Sequence, residues 1–356
     1  MDSRTAGHDE RQRRRFLGRA GAVLLAGAAL LAGCERPGEP PRPHVVHKVQ
    51  GRVFGAPVEV SIWGLPEADA KRHGDEVLAE WQRLHDKFHA WKPSALTALN
   101  EAIARGEAYQ ADQEMVDILR AATRLAEDSG HTFNPAIGRL IRLWGFQTSQ
   151  IEARGPAPEE IRKLVDARPR MSDLVFDGTR ISSRNPVVML DLGGYAKGYA
   201  LDRAARILRG HRVPAALINV GGNILALGQP GERPWRVGIQ DPRGEGLMAG
   251  VDLRDNEAIG TSGDYQRYFM KDGKRHGHII DPHTGQTTDT VAAVTVIVRG
   301  GSDVGTRSDG HTKPLFVVGP AQWQAMAERL GLKEVLLIDT KRTVHMTPAM
   351  AERLSR

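Results

Sequence analysis

Residues 190–202 read LDLGGYAKGYALD, with three glycines, one lysine and a carboxylate at each end. Glycine has no Cβ, so the backbone N–H groups of such a turn can come close to a ligand. The helix that follows presents further unpaired N–H groups. Two uses fit this pattern. One is a tight strand-to-helix turn. The other is a seat for an anionic group, with Lys197 as its counter-charge. The Gly-Lys-Ser/Thr ending of a nucleotide P-loop is absent. Four other stretches are dense in Gly, His, Asp and aromatic residues: FHAWKPSALTALN (88–100), HTFNPAIGRLIRLWGF (131–146), NVGGN (219–223) and TSGDYQRYFMKDGKRHGHIIDPHTG (261–285). Taken singly, each also fits packing or a turn.

The elements that must position these residues follow from periodicity and punctuation. Residues 68–88 have helical spacing, with Val77, Leu78, Trp81, Leu84 and Phe88 on one face. Residues 113–128 form a second amphipathic pattern, stopped by Gly130, and 158–166 a third. A buried strand is expected over 187–191, leading through the glycines into a helix over 196–208. Further strands are expected over 45–49, 58–63, 215–220, 235–240, 250–253, 258–261, 291–298, 315–318, 335–338 and 343–346, with a helix over 321–330. Helices cluster early and strands late. The expected class is α+β, a layered fold with a mainly antiparallel sheet and flanking helices, not a doubly wound parallel one.

The N-terminal residues 1–33 read as an export segment, to be set aside from fold reasoning. Arg13-Arg14-Arg15-Phe16-Leu17 has a twin-arginine pattern, and the apolar stretch 20–32 is shorter than the ~20 residues a membrane span needs. Leu31-Ala32-Gly33-Cys34 resembles a lipobox, which makes Cys34 an acylation site and the protein a periplasmic, membrane-anchored one. Cys34 is the only cysteine, so no intramolecular disulfide is available. Residues 34–43 read as a Pro-rich tether and 44–356 as the functional domain. The export segment carries six arginines against three acids, so half of the chain's formal charge of +6 resides there. No basic stripe interleaved with aromatics points to nucleic acid.

In their order, DLGGYAKGYALD, NVGGN, TSGDY and HIIDPHTG make the chain resemble the ApbE family of FAD:protein FMN transferases, from about residue 45 to the C-terminal region. The resemblance implies an ApbE-like layered fold and a cleft binding FAD with a divalent metal, usually Mg2+. It also implies transfer of FMN from FAD to a Thr or Ser hydroxyl of a partner protein, with release of AMP. Gly193 and Gly194 would shape the pyrophosphate turn and Lys197 would face phosphate. Ser94 and Asn100 match a stretch near the nucleotide. Thr261, Ser262, Gly263 and Asp264 match one lining the flavin or adenosine side. His278 is the base candidate, since imidazole titrates nearest neutral pH, and Asp281 would orient it or help hold the metal. Asn219 and Asn223 fit a site or a turn role. Trp91 and Phe133 fit ring contact or core packing. The implied acceptors are periplasmic or membrane flavoproteins: redox-pump subunits, or a NosR-like regulator of nitrous-oxide respiration served by a NosX-like branch. Hydrolysis of FAD to FMN and AMP, and FAD carriage without catalysis, are the alternatives.

The chain departs from the family pattern in SDGHTKPLFVVG (308–319). The resemblance assigns the Ala196 carbonyl, Asp309 and a Thr four residues later to the metal. Here Thr312 comes one place early and Lys313 stands at the fourth. Three arrangements are open: slippage that lets Thr312 serve, a metal with fewer protein ligands, or the Lys313 ammonium in the metal's place. The third implies weaker dependence on Mg2+. Asp303 is a possible rival ligand. Phe54-Gly55-Ala56 replaces a family Met-Gly-Thr.

Overall fold

The computed structural model describes residues 45–148, 150–153 and 155–355. The export segment, Cys34 and the tether over 34–43 lie outside the described residues. No described helix is long and apolar enough to cross a membrane.

An eight-stranded sheet organises the molecule. Its strands, labelled β1 to β8 in chain order, are Val46–Val53, Ala56–Trp63, Ala215–Val220, Asn223–Leu227, Glu257–Gly263, Val291–Arg299, Glu334–Asp339 and Val344–Met346. Their order in space is their order in the chain, and every neighbouring pair is antiparallel. The sheet is a meander into which long insertions have been placed. β6 is buried at eight of its nine positions, which explains its unbroken apolar run: layers cover both of its faces.

One layer is helical. Between β2 and β3 lie α1 (Glu67–Lys87), α2 (Ala95–Arg105), α3 (Gln113–Asp128), α4 (Gly138–Leu143), α5 (Pro158–Asp166) and α6 (Ala196–Gly210); α7 (Val304–Val318) follows β6. The buried stripe of α1 includes Val77, Trp81 and Leu84, and the Trp81 indole N–H donates to the Ala200 carbonyl of α6 at 2.8 Å. The other layer is a small sheet of Trp235–Gln240, Leu247–Leu253 and Leu354–Ser355. Its Trp235, Val237 and Leu253 pack on Ile259, Ile297 and Leu336 of the large sheet. The α+β layered architecture is as the sequence suggests.

Two expected strands are absent. Residues 188–191 are buried and Val187 lies in a turn, and the segment makes only an isolated bridge, between Met189 and Ile137. The Asn100 side chain substitutes for a neighbouring strand: its Nδ2 donates to the Leu190 carbonyl at 2.9 Å and its Oδ1 accepts from the Leu190 N–H at 2.7 Å. Residues 315–318 are the last turn of α7. That helix is buried around nearly its whole circumference, so it lacks the polar face that marks a helix in sequence.

Helices α6 and α7 cross at Gly198 and Gly305. A Cβ on Gly198 would lie 2.3 Å from the Gly305 carbonyl oxygen. This closeness lets each helix cap the other. Asp202 of α6 accepts from the N–H groups of Gly305 and Thr306, both at 2.7 Å, and Asp309 of α7 accepts from the Gly198 N–H at 2.9 Å.

Candidate active site

The N-terminal turn of α6 is the centre of the site. Asp191 accepts from the Gly193 N–H at 2.9 Å and closes the turn, while the Gly194 N–H has no partner among the described residues. Two hairpin tips flank it. Phe54-Gly55 joins β1 to β2 and Gly221-Gly222 joins β3 to β4, all four with positive φ, as a two-residue type I′ hairpin requires. A Cβ on Gly221 would meet Ala56 at 2.8 Å and the Lys197 stem at 3.7 Å. The lysine therefore passes directly beside this tip. Its ammonium makes no hydrogen bond or ion pair among the described residues.

A chain of hydrogen bonds runs from the glycine turn to His278. Asp191 accepts from Gln147 Nε2 at 2.9 Å. The carbonyls on either side of Gln147, those of Phe146 and Thr148, accept from the Arg267 guanidinium at 2.8 and 2.7 Å. The Arg267 carbonyl in turn accepts from the His278 backbone N–H at 3.0 Å and faces its Nδ1 at 3.2 Å. An Nδ1–H tautomer satisfies that contact and leaves the Nε2 lone pair available. Burial pushes the His278 pKa down to about 3, and the nearby Lys197 and Arg267 charges add to the effect. The ring is neutral at pH 7 and able to accept a proton. The aromatic cluster of Trp144, Phe146 and Phe269 fixes the two segments against each other.

On α7, Lys313 donates to the Asp309 carboxylate and, at 2.8 Å, to the Asp309 carbonyl. The Thr312 hydroxyl is engaged elsewhere, 2.7 Å from both the Asp309 carbonyl and the Ser262 hydroxyl. Ala196 is the first residue of α6. These residues do not fit a divalent cation: an ammonium already neutralises Asp309, Thr312 faces Ser262, and a protonated lysine has no lone pair to give. Asp303 is also removed from the question, since it pairs with Arg307 at the exposed start of α7.

Other expected site residues have structural partners. Asp281 does not orient His278: its carboxylate accepts from the His283 N–H at 2.8 Å and the Thr284 hydroxyl at 2.9 Å, closing its own loop. Asp264 is buried in a two-point ion pair with Arg243, at 2.7 and 2.5 Å. Thr261 bonds Thr295 at 2.9 Å, and a Cβ on Gly263 would strike the Tyr265 ring. Ser94 caps α2 and accepts from the Thr97 N–H at 3.0 Å. Asn219 accepts from the Gly222 N–H at 2.9 Å, a turn role. Asn223 accepts from the Thr261 N–H at 3.1 Å but leaves its buried Nδ2 without a partner. Phe133 is core, its ring tilted against that of Tyr195. Trp91 is 39% exposed and ends a series of rings that runs Phe54, His85, His89, Trp91 toward Arg267.

Sequence reasoning missed Gln147 and Arg267. Gln147 acts across more than forty residues on Asp191, and Arg267 acts largely through backbone, so neither left a spacing signal. A cavity of about 560 Å³ adjoins Asn100 and is lined by Trp91, Ser94, Arg139, Arg142 and Met189. It does not reach Lys197, His278 or Lys313, so the chemistry is assigned to the charged cluster and not to this hollow. A His73, Glu76 and His211 group with metal-ligand spacing lies at the other end of α6, remote from its N-terminal turn.

This arrangement can hold an anion at a glycine turn between two ammonium groups, with a neutral imidazole alongside. The description ApbE family matches residues 54–337. The FAD:protein FMN transferase of Rhodobacter capsulatus is 38% identical over 96% of this chain, which spans 64% of that relative's length. The FAD:protein FMN transferase of Klebsiella pneumoniae is 32% identical, with 89% of this chain and 91% of the relative covered. Among solved structures, the ApbE protein of Thermotoga maritima superimposes with a TM-score of 0.80 at 28% identity, covering 88% of this chain and all of that one. The apo flavinyl transferase ApbE of Pseudomonas stutzeri gives 0.76 at 28% identity, covering 88% and 98%.

Proposed function

The chain belongs to the ApbE family, and from that premise we propose that it transfers FMN from FAD to a Thr or Ser hydroxyl of a partner flavoprotein, releasing AMP. The observation that carries this reading is the hydrogen-bonded path from the glycine turn through Gln147 and Arg267 to His278. It ties the turn we read as the phosphate seat to the ring we read as the proton acceptor.

Phosphoryl transfer mainly asks a protein for positioning and charge neutralisation. The diphosphate of FAD sits over Gly193 and Gly194, where the free Gly194 N–H and the Lys197 ammonium receive its oxygens. The acceptor hydroxyl attacks the FMN-side phosphorus. The bond from that phosphorus to the bridging oxygen breaks, and the oxygen leaves with the electron pair on AMP. His278 Nε2 takes the hydroxyl proton. The depressed basicity of the ring keeps it unprotonated before the reaction, and the incoming diphosphate charge raises its affinity for a proton as one is released. The exposed Trp91 and the Phe54 tip offer ring faces at the rim for the flavin. Where the family resemblance implies Mg2+, this chain presents Lys313. The export and lipobox patterns of residues 13–34 support a periplasmic, membrane-tethered enzyme, with an acceptor in that compartment such as a redox-pump subunit or a NosR-like regulator.

The test is to incubate the protein with FAD and a candidate acceptor, then examine the acceptor by in-gel flavin fluorescence and mass. Covalent FMN is the expected outcome. Free FMN and AMP without labelled acceptor would mark a hydrolase, and intact bound FAD a carrier.

A further inference from the structure

The flavin-transfer reading gives the following inference its ligand. Lys313 is four residues beyond Asp309 on α7, one helical turn along the same face. Its ammonium is held at two points by Asp309, through the carboxylate and through the carbonyl at 2.8 Å. Its stem lies across Gly194: a Cβ there would be 3.2 Å from Lys313 Cε and 3.7 Å from Cγ. The side chain is 16% exposed, enough to meet a ligand but not to wander. Lys197 is near enough for the two like charges to act on one another, and both act on His278. The lysine stem thus packs against the glycine turn while its ammonium is bonded to Asp309.

We infer that the Lys313 ammonium is the resident cation of this site and binds the diphosphate together with Lys197, so that FAD is held and AMP departs without a divalent metal. A metal drawn to Asp309 would have to expel an ammonium already bonded to it and would meet the repulsion of Lys197. A fixed ammonium stabilises the charge that gathers on the leaving phosphate oxygen, the work a metal otherwise does by electrostatics. It also adds a second reason for a small residue at Gly194. A methyl at that position would press on the lysine stem, and that part of the penalty should go when the stem is shortened.

The experiment follows FAD binding by flavin fluorescence in EDTA and in Mg2+, together with bound Mn2+ by electron paramagnetic resonance. Native protein should bind FAD equally well, within about twofold, in both solutions, and should leave Mn2+ free. Lys313→Met should weaken FAD binding by about 10- to 100-fold in both, the loss of a charged hydrogen bond. Lys313→Thr, which places a hydroxyl four residues after Asp309, should bind weakly in EDTA, recover in Mg2+ and hold Mn2+. Gly194→Ala should weaken FAD binding more in the native background than in the Lys313→Thr background. Thermal melts of each variant separate these effects from misfolding. Native binding that collapses in EDTA and returns with Mg2+, or Mn2+ held by the native protein at Asp309, would overturn the inference. Native protein that binds no FAD under any condition would instead overturn the flavin reading on which it rests.

Discussion

His278 gains its proposed chemistry from its surroundings. Burial and two flanking cations keep the ring neutral, and the Arg267 carbonyl selects the tautomer. His278→Asn should retain FAD binding and lose transfer by about 10²- to 10⁴-fold, the usual worth of a positioned base. Measured labelling of the acceptor within tenfold of native would remove the residue from that role. The pH dependence has a definite sign. Protonation abolishes a base, so activity is lost as pH falls through its pKa in the free protein. With that value near 3 instead of the ordinary 6.5, kcat/KM should hold steady as pH falls through 6.5. An acid limb near 6.5 that disappears in His278→Asn would contradict the lowered basicity of the ring while keeping it as the base. His278 was legible in sequence because it stands inside a recognisable stretch. The role expected for Asp281 was not fulfilled, since an Asp four residues before a glycine in a short loop serves its own turn first.

Element packing decides where the two lysines point, and it does so through glycine. The crossing of α6 and α7 brings Gly198 against the backbone of Gly305, which cannot move aside as a flexible side chain can. Gly198→Ala should lower stability by about 1–3 kcal/mol or more, the range for overpacking. Gly210→Ala, at the open end of the same helix with nothing within 4 Å, should be neutral or slightly stabilising. Urea titrations of both variants check this, and equal effects would refute the packing argument. The same crossing explains why the sequence misleads over 304–318. Gly305, Ser308, Gly310 and Pro314 weaken local helix preference, and the apolar end LFVV reads as a strand. Tertiary capping by Asp202 and burial on all sides override that preference. Residues 187–191 mislead for the opposite reason. Their apolar run is buried, but an Asn side chain and a turn replace the neighbouring strand. The amphipathic α1, α3 and α5 show one polar face to solvent, so their periodicity was readable within a residue or so of each end.

Buried imidazoles also shape the stability of the whole molecule. Burial lowers the pKa of His73, of His311 to about 4 and of His278 to about 3. Below about 6.5 the unfolded chain binds these protons and the folded one does not, so stability falls as pH drops toward 4. Glu114 adds to the loss at lower pH. Burial alone would raise it, but Arg83 and Lys87 outweigh that and hold it at about 2, so its contribution fades below about 4.5. Asp202, raised by burial to about 6, acts in the other direction as pH falls through 6. The imidazoles outnumber it, and the urea midpoint should be lower at pH 5 than at pH 7; an equal or higher midpoint would show that Asp202 dominates. The wider architecture, a helical layer and a small sheet on a meander, serves to bring α6, α7 and the 261–285 segment to one place. A crystal structure with FAD bound tests that most directly. The account predicts the diphosphate within hydrogen-bonding distance of the Gly194 N–H, Lys197 and Lys313, with His278 Nε2 facing the FMN-side phosphorus. A diphosphate seated elsewhere, such as the hollow beside Arg139 and Arg142, would contradict it.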